Sequence, residues 1–428
     1  RGPRPTGSAA PAVTAPTAPQ DATPPGIART ENNGRVTLAR AECADAGQLI
    51  DEAPMSASAV GQTLASRDAI FTEFDSLDPV ALLAHADALL SLGFGAEARA
   101  LDAMPDFALP RSRVALSYLV DGERDPAGYF RGMTHCRSQA QIWAVLSDPS
   151  EAAASDIAPS QLLQSFELLP APLRAHLGPD LAQALLDFGY AATSRDILSR
   201  LARSGGARQT DLALVESDID LREGAPDTAL ETLDSVAEVS TEDLPRMIRS
   251  RIAAAFETGQ PVDAATLDAI ALMFVEERGS PQHAATALSY LRAMVSRADF
   301  AGARALLLDR DALPEPEATE ARDAFFARLV RDASDVVFLK EALNARSETL
   351  EIRDPALALD LATRLEATGA AEQALSVLGA SRVREDDPRR RLVEARAFFD
   401  LDRLAEAETR LLGLDDPEAR LLRAELRA

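Results

Sequence analysis

The chain has almost no lysine. Lys340 is the sole one among 44 basic residues, and the others are arginine. We read this as the codon usage of a high-GC bacterial genome, because arginine and lysine have nearly equal propensity on solvated helix faces. Aromatic residues are also scarce, at 5%, with one tryptophan, Trp143. Strand formers never gather into alternating runs, which argues against a sandwich or barrel. No run of 18 apolar residues occurs, so this sequence holds no membrane-spanning helix. The four histidines, His85, His135, His176 and His283, lack metal-ligand spacing, and the two cysteines, Cys43 and Cys136, are not a CxxC pair. His135 and Cys136 are adjacent, and neighbours on a helix diverge too far to act as nucleophile and base. No Walker loop and no GxSxG elbow is present. Acidic doublets such as Glu276-Glu277 and Asp386-Asp387 fit a solvated face better than paired catalytic acids. We therefore expect no enzyme, no cofactor and no metal.

The charge balance excludes further classes. There are 68 acidic residues against the 44 basic ones, for a formal charge of −24. A nucleic-acid backbone or an anionic membrane would be repelled unless a basic stripe compensated. The one basic run, Arg389-Arg390-Arg391, sits among Glu385, Asp386, Asp387 and Glu394.

What the sequence does have is a weak repeat of small residues. Ala98, Ala229, Ala264, Ala303, Ala374 and Ala407 each lie five residues after a turn signal, and Ser194 fills a seventh slot. In chain order the intervals are 96, 35, 35, 39, 71 and 33 residues, so the long gaps are close to three and two units of about 35. Twelve residues earlier another small residue recurs, at Ala86, Ala182, Ser217, Ala362 and Ala395. Four residues later a leucine recurs, at Leu198, Leu233, Leu307, Leu378 and Leu411. Small residues at fixed spacing let two helices approach closely, and the turn between them needs a residue tolerant of unusual dihedrals.

The stretches Gly93-Phe94-Gly95-Ala96-Glu97-Ala98, Gly224 to Ala229 and Gly369 to Ala374 carry this pattern most clearly. Ala298 to Ala303 and Asp402 to Ala407 carry it with other turn residues. The pattern resembles the tetratricopeptide repeat over about two-thirds of the chain. That family's early tryptophan and its late alanine and proline are mostly missing. The resemblance implies an all-α solenoid of antiparallel helix pairs and a protein-binding scaffold. Helix-pair solenoids use the first helix of each pair to line the concave side. On that rule Asp218, Arg222, Arg292, Thr363, Glu366 and Arg396 are the expected protein-binding residues.

Three regions follow from composition. Residues 1–35 read as a disordered Pro/Ala/Thr-rich linker, with prolines at 3, 5, 11, 16, 19, 24 and 25. Residues 36–165 read as an irregular N-terminal helical region. It includes an apolar stripe at Val36, Leu38, Ala39 and Cys43, and a helix from Ser66 to Leu77 bearing Ile70, Phe71 and Phe74. Residues 166–428 read as the repeat array, starting with a helix from Pro179-Asp180 to Phe188. The array ends in an unpaired helix, Pro417 to Ala428, whose Ala419, Leu422 and Leu426 stripe suits a cap or a dimer contact.

Cys43 and Cys136 leave two readings open: a disulfide, which needs an oxidising compartment, or two buried free thiols. The chain begins at Arg1 rather than methionine, from which we expect an upstream segment to have been removed. With the linker and a disulfide, this places the chain in the periplasm of a Gram-negative bacterium. The expected partners are proteins of a cell-envelope assembly, with a flagellar-motor accessory role as the concrete case and a homodimer as a further expectation. A cytoplasmic adaptor or chaperone is the alternative; a helical-toroid hydrolase stands behind it.

Overall fold

The computed structural model describes residues 29–32, 35–38, 43, 59–71, 76–147, 156–315, 317–344 and 352–427. Contacts divide the chain into two compact units, Arg1–Arg208 and Gln209–Ala428.

One local device builds the helix pairs in both units. The first helix ends in a Schellman cap, where a left-handed residue bonds back three positions and its successor bonds back five. Thus Gly224 N–H donates to Leu221 O at 3.1 Å and Ala225 N–H to Asp220 O at 2.8 Å. The same two bonds close the turns at Gly93, Gly189, Ala298, Gly369 and Asp402, all at positive φ. Ala298 and Asp402 hold this backbone without being glycine, at φ 63° and 58°. Several first helices open on an Asp-Pro pair. Asp78, Asp354, Asp387 and Asp416 each accept a backbone N–H bond, and a proline fills the first helical position, where its missing N–H costs nothing.

Six of the seven expected small positions are fully buried: Ala98, Ser194, Ala229, Ala303, Ala374 and Ala407. Their partners twelve residues earlier are buried too. Closeness is visible at Ser194, whose hydroxyl donates across the pair to Ala182 O at 2.7 Å. Ala264 is the exception; it is exposed on the first turn of its helix. The preceding helix ends at Gly259, and Gln260 to Asp263 form a longer connection before the next begins. Three extra residues shift the register, so the equivalent slot holds the partly buried Leu267.

Unit 1 contains β1 (Arg29–Asn32) and β2 (Arg35–Leu38), an antiparallel pair and the only named strands among the described residues. Val36 and Leu38 therefore lie on a strand where a helical stripe was expected. In sequence Asn33-Gly34 separates the strands, the dipeptide that two-residue hairpin loops favour. Ala39 and residues 1–28 lie outside the described residues. Helix α1 (Ala59–Asp68) ends before Ile70, and Phe71 instead bridges Leu77 as an antiparallel pair. The expected helix from Ser66 to Leu77 is therefore not formed, and Phe74 lies outside the described residues.

The first pair is α2 (Pro79–Ser91) and α3 (Gly95–Ala100); α4 (Arg111–Val120) follows. Gly95 is required by that packing, since a Cβ there would lie 2.0 Å from Ser117 O. Helix α5 (Ala140–Ser147) packs against α4, α6 (Pro159–Glu167) and α7 (Ala171–Asp187). It buries Ile142, Trp143, Ala144 and Val145, so the region read as irregular supplies buried core to this unit. Pro179 lies inside α7 rather than at a helix start. Beside it, Gly178 lets Leu201 of α8 (Ala191–Ser204) approach; a Cβ would meet Leu201 Cδ1 at 2.5 Å.

Unit 2 contains α9 (Gln209–Arg222), α10 (Pro226–Asp234), α11 (Leu244–Thr258), α12 (Ala264–Glu276), α13 (His283–Ser296) and α14 (Phe300–Leu307). It continues with α15 (Glu317–Asp332), α16 (Asp335–Asn344), α17 (Pro355–Ala367), α18 (Ala371–Ala380), α19 (Pro388–Asp400), α20 (Leu404–Leu411) and α21 (Pro417–Glu425). First helices pack in a row, α9 on α11, then α13, α15, α17, α19 and α21. Second helices fill the steps: α10 lies on α11, α12 on α13, α14 on α15, α18 on α19 and α20 on α21. Phe300, Phe325, Phe326 and Phe338 form the centre of the main core, each fully buried aromatic contributing roughly 1.5–3 kcal/mol. Helix α21 buries Ala419 and Leu422 against α19 and α20. Its apolar stripe is thus used within the chain, as a cap requires.

Arginine gives this fold something lysine cannot. Helix C-termini expose unpaired carbonyls, and a guanidinium fork can satisfy several at once. Arg364 of α17 donates to Leu329 O at 3.0 Å, to Val330 O at 2.5 Å and to Ala333 O, the end of α15. Arg328 reaches Phe256 O and Gly259 O at the end of α11, and Arg391 reaches Arg410 O and Leu412 O at the end of α20. The arginine excess therefore has a structural use that near-equal helix propensity did not anticipate.

Candidate functional site

The histidines serve packing in most cases. His85 is buried with Nδ1 2.9 Å from Ser66 Oγ; burial first, then the Arg67 charge, holds it below its ordinary value. His176 Nε2 stands 2.8 Å from Val120 O, and His283 stacks on Phe274 at 4.9 Å. His135 differs. It lies on a turn, not on a helix, and its Nε2 stands 3.7 Å from Cys43 Sγ and 4.0 Å from Cys136 Sγ. The divergence expected of adjacent helical side chains thus does not apply to His135-Cys136. The two sulfurs are at bonding distance, with Cα atoms 5.6 Å apart, inside the range a disulfide needs.

The six residues read as a binding face lie on first helices of unit 2, and several are engaged with the chain itself. Arg292 of α13 pairs with Glu320 of α15 at 2.5 Å, and Arg396 of α19 pairs with Glu418 of α21 at 2.9 Å. Arg246–Asp211 and Arg389–Asp360 are further rungs between successive first helices. Thr363 donates to Leu359 O, and Asp218 and Arg222 have partners of their own. Glu366 lies near Arg396, Asp400 and Glu418. Burial raises its carboxyl above the ordinary value, Arg396 opposes this, and the two acids add to it. The structure thus brings Glu366 and Arg396 together, while Arg292 belongs to a different rung.

Sequence reasoning missed a cavity of about 1230 Å³ in unit 2. It opens where the end of α14, the start of α15, the segment before α17 and the end of α18 converge. Arg310, Arg322, Arg353 and Arg382 line it against one carboxylate, Glu315, counted among the described residues; Leu313 and Ile352 supply apolar wall. Arg322 is half-buried and fixed by Glu315 at 2.6 Å. Behind the wall, burial raises the carboxyl of Asp323, and the Arg353 N–H bonded to it opposes that rise. The four arginines come from segments up to 72 residues apart, so no local motif announces them.

Turns, small-residue contacts and stacking together define the class, a TPR-like solenoid of helix pairs. No family model and no curated protein matches the chain. Among solved structures it is similar to a chain of the "Crystal structure of APC/C hetero-tetramer Cut9-Hcn1", at 13% identity and a TM-score of 0.32, over 81% of this chain and 67% of that one. The class assignment rests on the geometry of this chain.

Proposed function

We propose that this protein is a non-enzymatic interaction scaffold whose unit 2 receives an acidic, partly apolar segment of a partner protein. The observation that carries this is the arginine-lined cavity in a chain of charge −24. Concentrated positive charge on an otherwise acidic surface selects its partner by steering as well as by contact. Four arginines converge on the cavity, which makes it the better site; Asp218, Arg222, Arg292, Thr363, Glu366 and Arg396 remain candidates on the first-helix face.

An envelope location is the finer reading. Supporting it are the Cys43–Cys136 pair, of a kind that persists in oxidising compartments, and the proline-rich leading segment. A flagellar-motor accessory role is a case of that reading, carried by no residue of the chain. A homodimer draws little from α21, which turns its apolar stripe inward.

Crosslinking and affinity purification from native cells, with mass spectrometry, test all of this. The wild-type chain and an Arg353→Glu/Arg382→Glu variant are compared. A partner recovered with the wild type and lost with the variant is the expected result. Undiminished recovery with the variant would move the site away from the cavity. Stator or basal-body proteins would support the motor role, and cytoplasmic clients would discard the envelope reading. No specific partner in either sample would overturn the scaffold.

A further inference from the structure

We propose that Cys43, Cys136 and His135 form a divalent-metal site, Cys₂His with one open position, which reduction of the Cys43–Cys136 bond creates. The three donor atoms lie within 4.8 Å of one another although Cys43 is 92 residues from His135. In tetrahedral zinc sites, Zn–S is about 2.3 Å and Zn–N about 2.0–2.1 Å, which sets N···S near 3.6 Å and S···S near 3.8 Å. His135 Nε2 already stands 3.7 and 4.0 Å from the two sulfurs. The Cα separation of 5.6 Å accommodates the thiolates once their bond is broken.

The imidazole is set in the orientation a ligand needs. His135 Nδ1 lies 3.0 Å from Gly132 O, an acceptor that takes the ring proton there. That leaves the Nε2 lone pair directed at the sulfurs, as a backbone carbonyl does for metal-bound histidines. The turn is itself anchored. Cys136 N–H bonds to Met133 O at 3.0 Å, and Gln141 holds Thr134 O. Cys136 is buried and Cys43 is exposed, so a reductant reaches the bond from the Cys43 side.

The chemistry balances in two steps. A dithiol reductant transfers two electrons and two protons: the Cys43–Cys136 bond breaks, two thiols form, and the reductant becomes a disulfide. Zinc(II) then displaces both thiol protons and binds two thiolates and the neutral imidazole. Water or a further donor completes the tetrahedron. With the sulfurs bonded, neither is a thiolate and the site is closed to metal.

Titration with cobalt(II) and zinc(II) tests this on the full chain, as oxidised protein and after reduction with removal of the dithiol. The reduced chain should bind one ion with thiolate-to-cobalt charge-transfer bands that zinc abolishes, and the oxidised chain should show none. His135→Gln should weaken zinc binding by more than about 100-fold, beyond the 10–100-fold typical of losing an outer-shell partner. Zinc should also raise the melting temperature of the reduced chain and leave that of the oxidised chain unchanged. This second measurement decides the matter if reduction loosens unit 1, since zinc must then restore it. Equal binding by both redox forms, binding unaffected by His135→Gln, or no zinc-dependent stabilisation of the reduced chain would each overturn the site.

Discussion

Ala374 and Ala264 occupy the same place in the sequence pattern, five residues beyond a turn signal, yet one is sealed and the other faces solvent. Ala374 packs where α18 meets α17, opposite the buried Ala362. Replacing it with leucine forces three extra carbon atoms into a closed contact, at a cost of about 1–3 kcal/mol. Ala264→Leu adds the same atoms in open solvent and should stay within about 0.5 kcal/mol of the wild type. Urea unfolding of the two variants measures the difference, and equal losses would mean that Ala264 belongs to the buried register after all. The sequence pattern misled here for a definite reason. Spacing counted from a turn locates a buried slot only when the connection has constant length, and the stretch after Gly259 is longer than the others. Where the turn is a two-bond Schellman cap, as at Gly224 and Gly369, the same counting works.

Between elements, the side chains that hold neighbouring helices are the arginines. Arg364 joins the last carbonyls of α15 to the carboxylate of Asp335, 3.0 Å away, and lies over the Phe338 ring at 4.4 Å. A lysine there keeps the charge but offers one ammonium in place of a planar fork, so most of those carbonyls lose their partner. Arg364→Lys should cost about 1.5–3 kcal/mol, the range for hydrogen bonds to a charged group. It should also speed amide exchange in the last turn of α15. A lysine variant as stable as the wild type would return the arginine excess to codon usage alone. Helix boundaries and pairs were largely legible, because caps, prolines and small residues act within a few positions. The main-chain partners of Arg364 and Arg328 were not, because they lie 31 to 72 residues away and are carbonyls, which no side-chain pattern marks. The same distance hid the cavity and the approach of His135 to Cys43.

For the whole chain, the division at 208/209 has a thermodynamic consequence. Each unit has its own buried aromatics, Phe130, Trp143 and Phe166 in the first and Phe300, Phe325 and Phe326 in the second. In stacked-repeat architectures each repeat is stabilised mainly by its immediate neighbours, which permits separate transitions within one chain. The Cys43–Cys136 bond closes its 93-residue loop entirely inside unit 1. In the chain-entropy model such a crosslink stabilises by at most about 4–5 kcal/mol, because it restricts the unfolded chain it spans. That restriction cannot act on Gln209–Ala428. Calorimetry of the oxidised chain should therefore resolve two transitions, and residues 209–428 expressed alone should reproduce one of them. Reduction, with metal excluded by a chelator, should lower the other and leave the unit 2 transition in place. A single transition that moves as a whole on reduction would show that the two units unfold as one cooperative body, and the division would then describe contact density without describing stability.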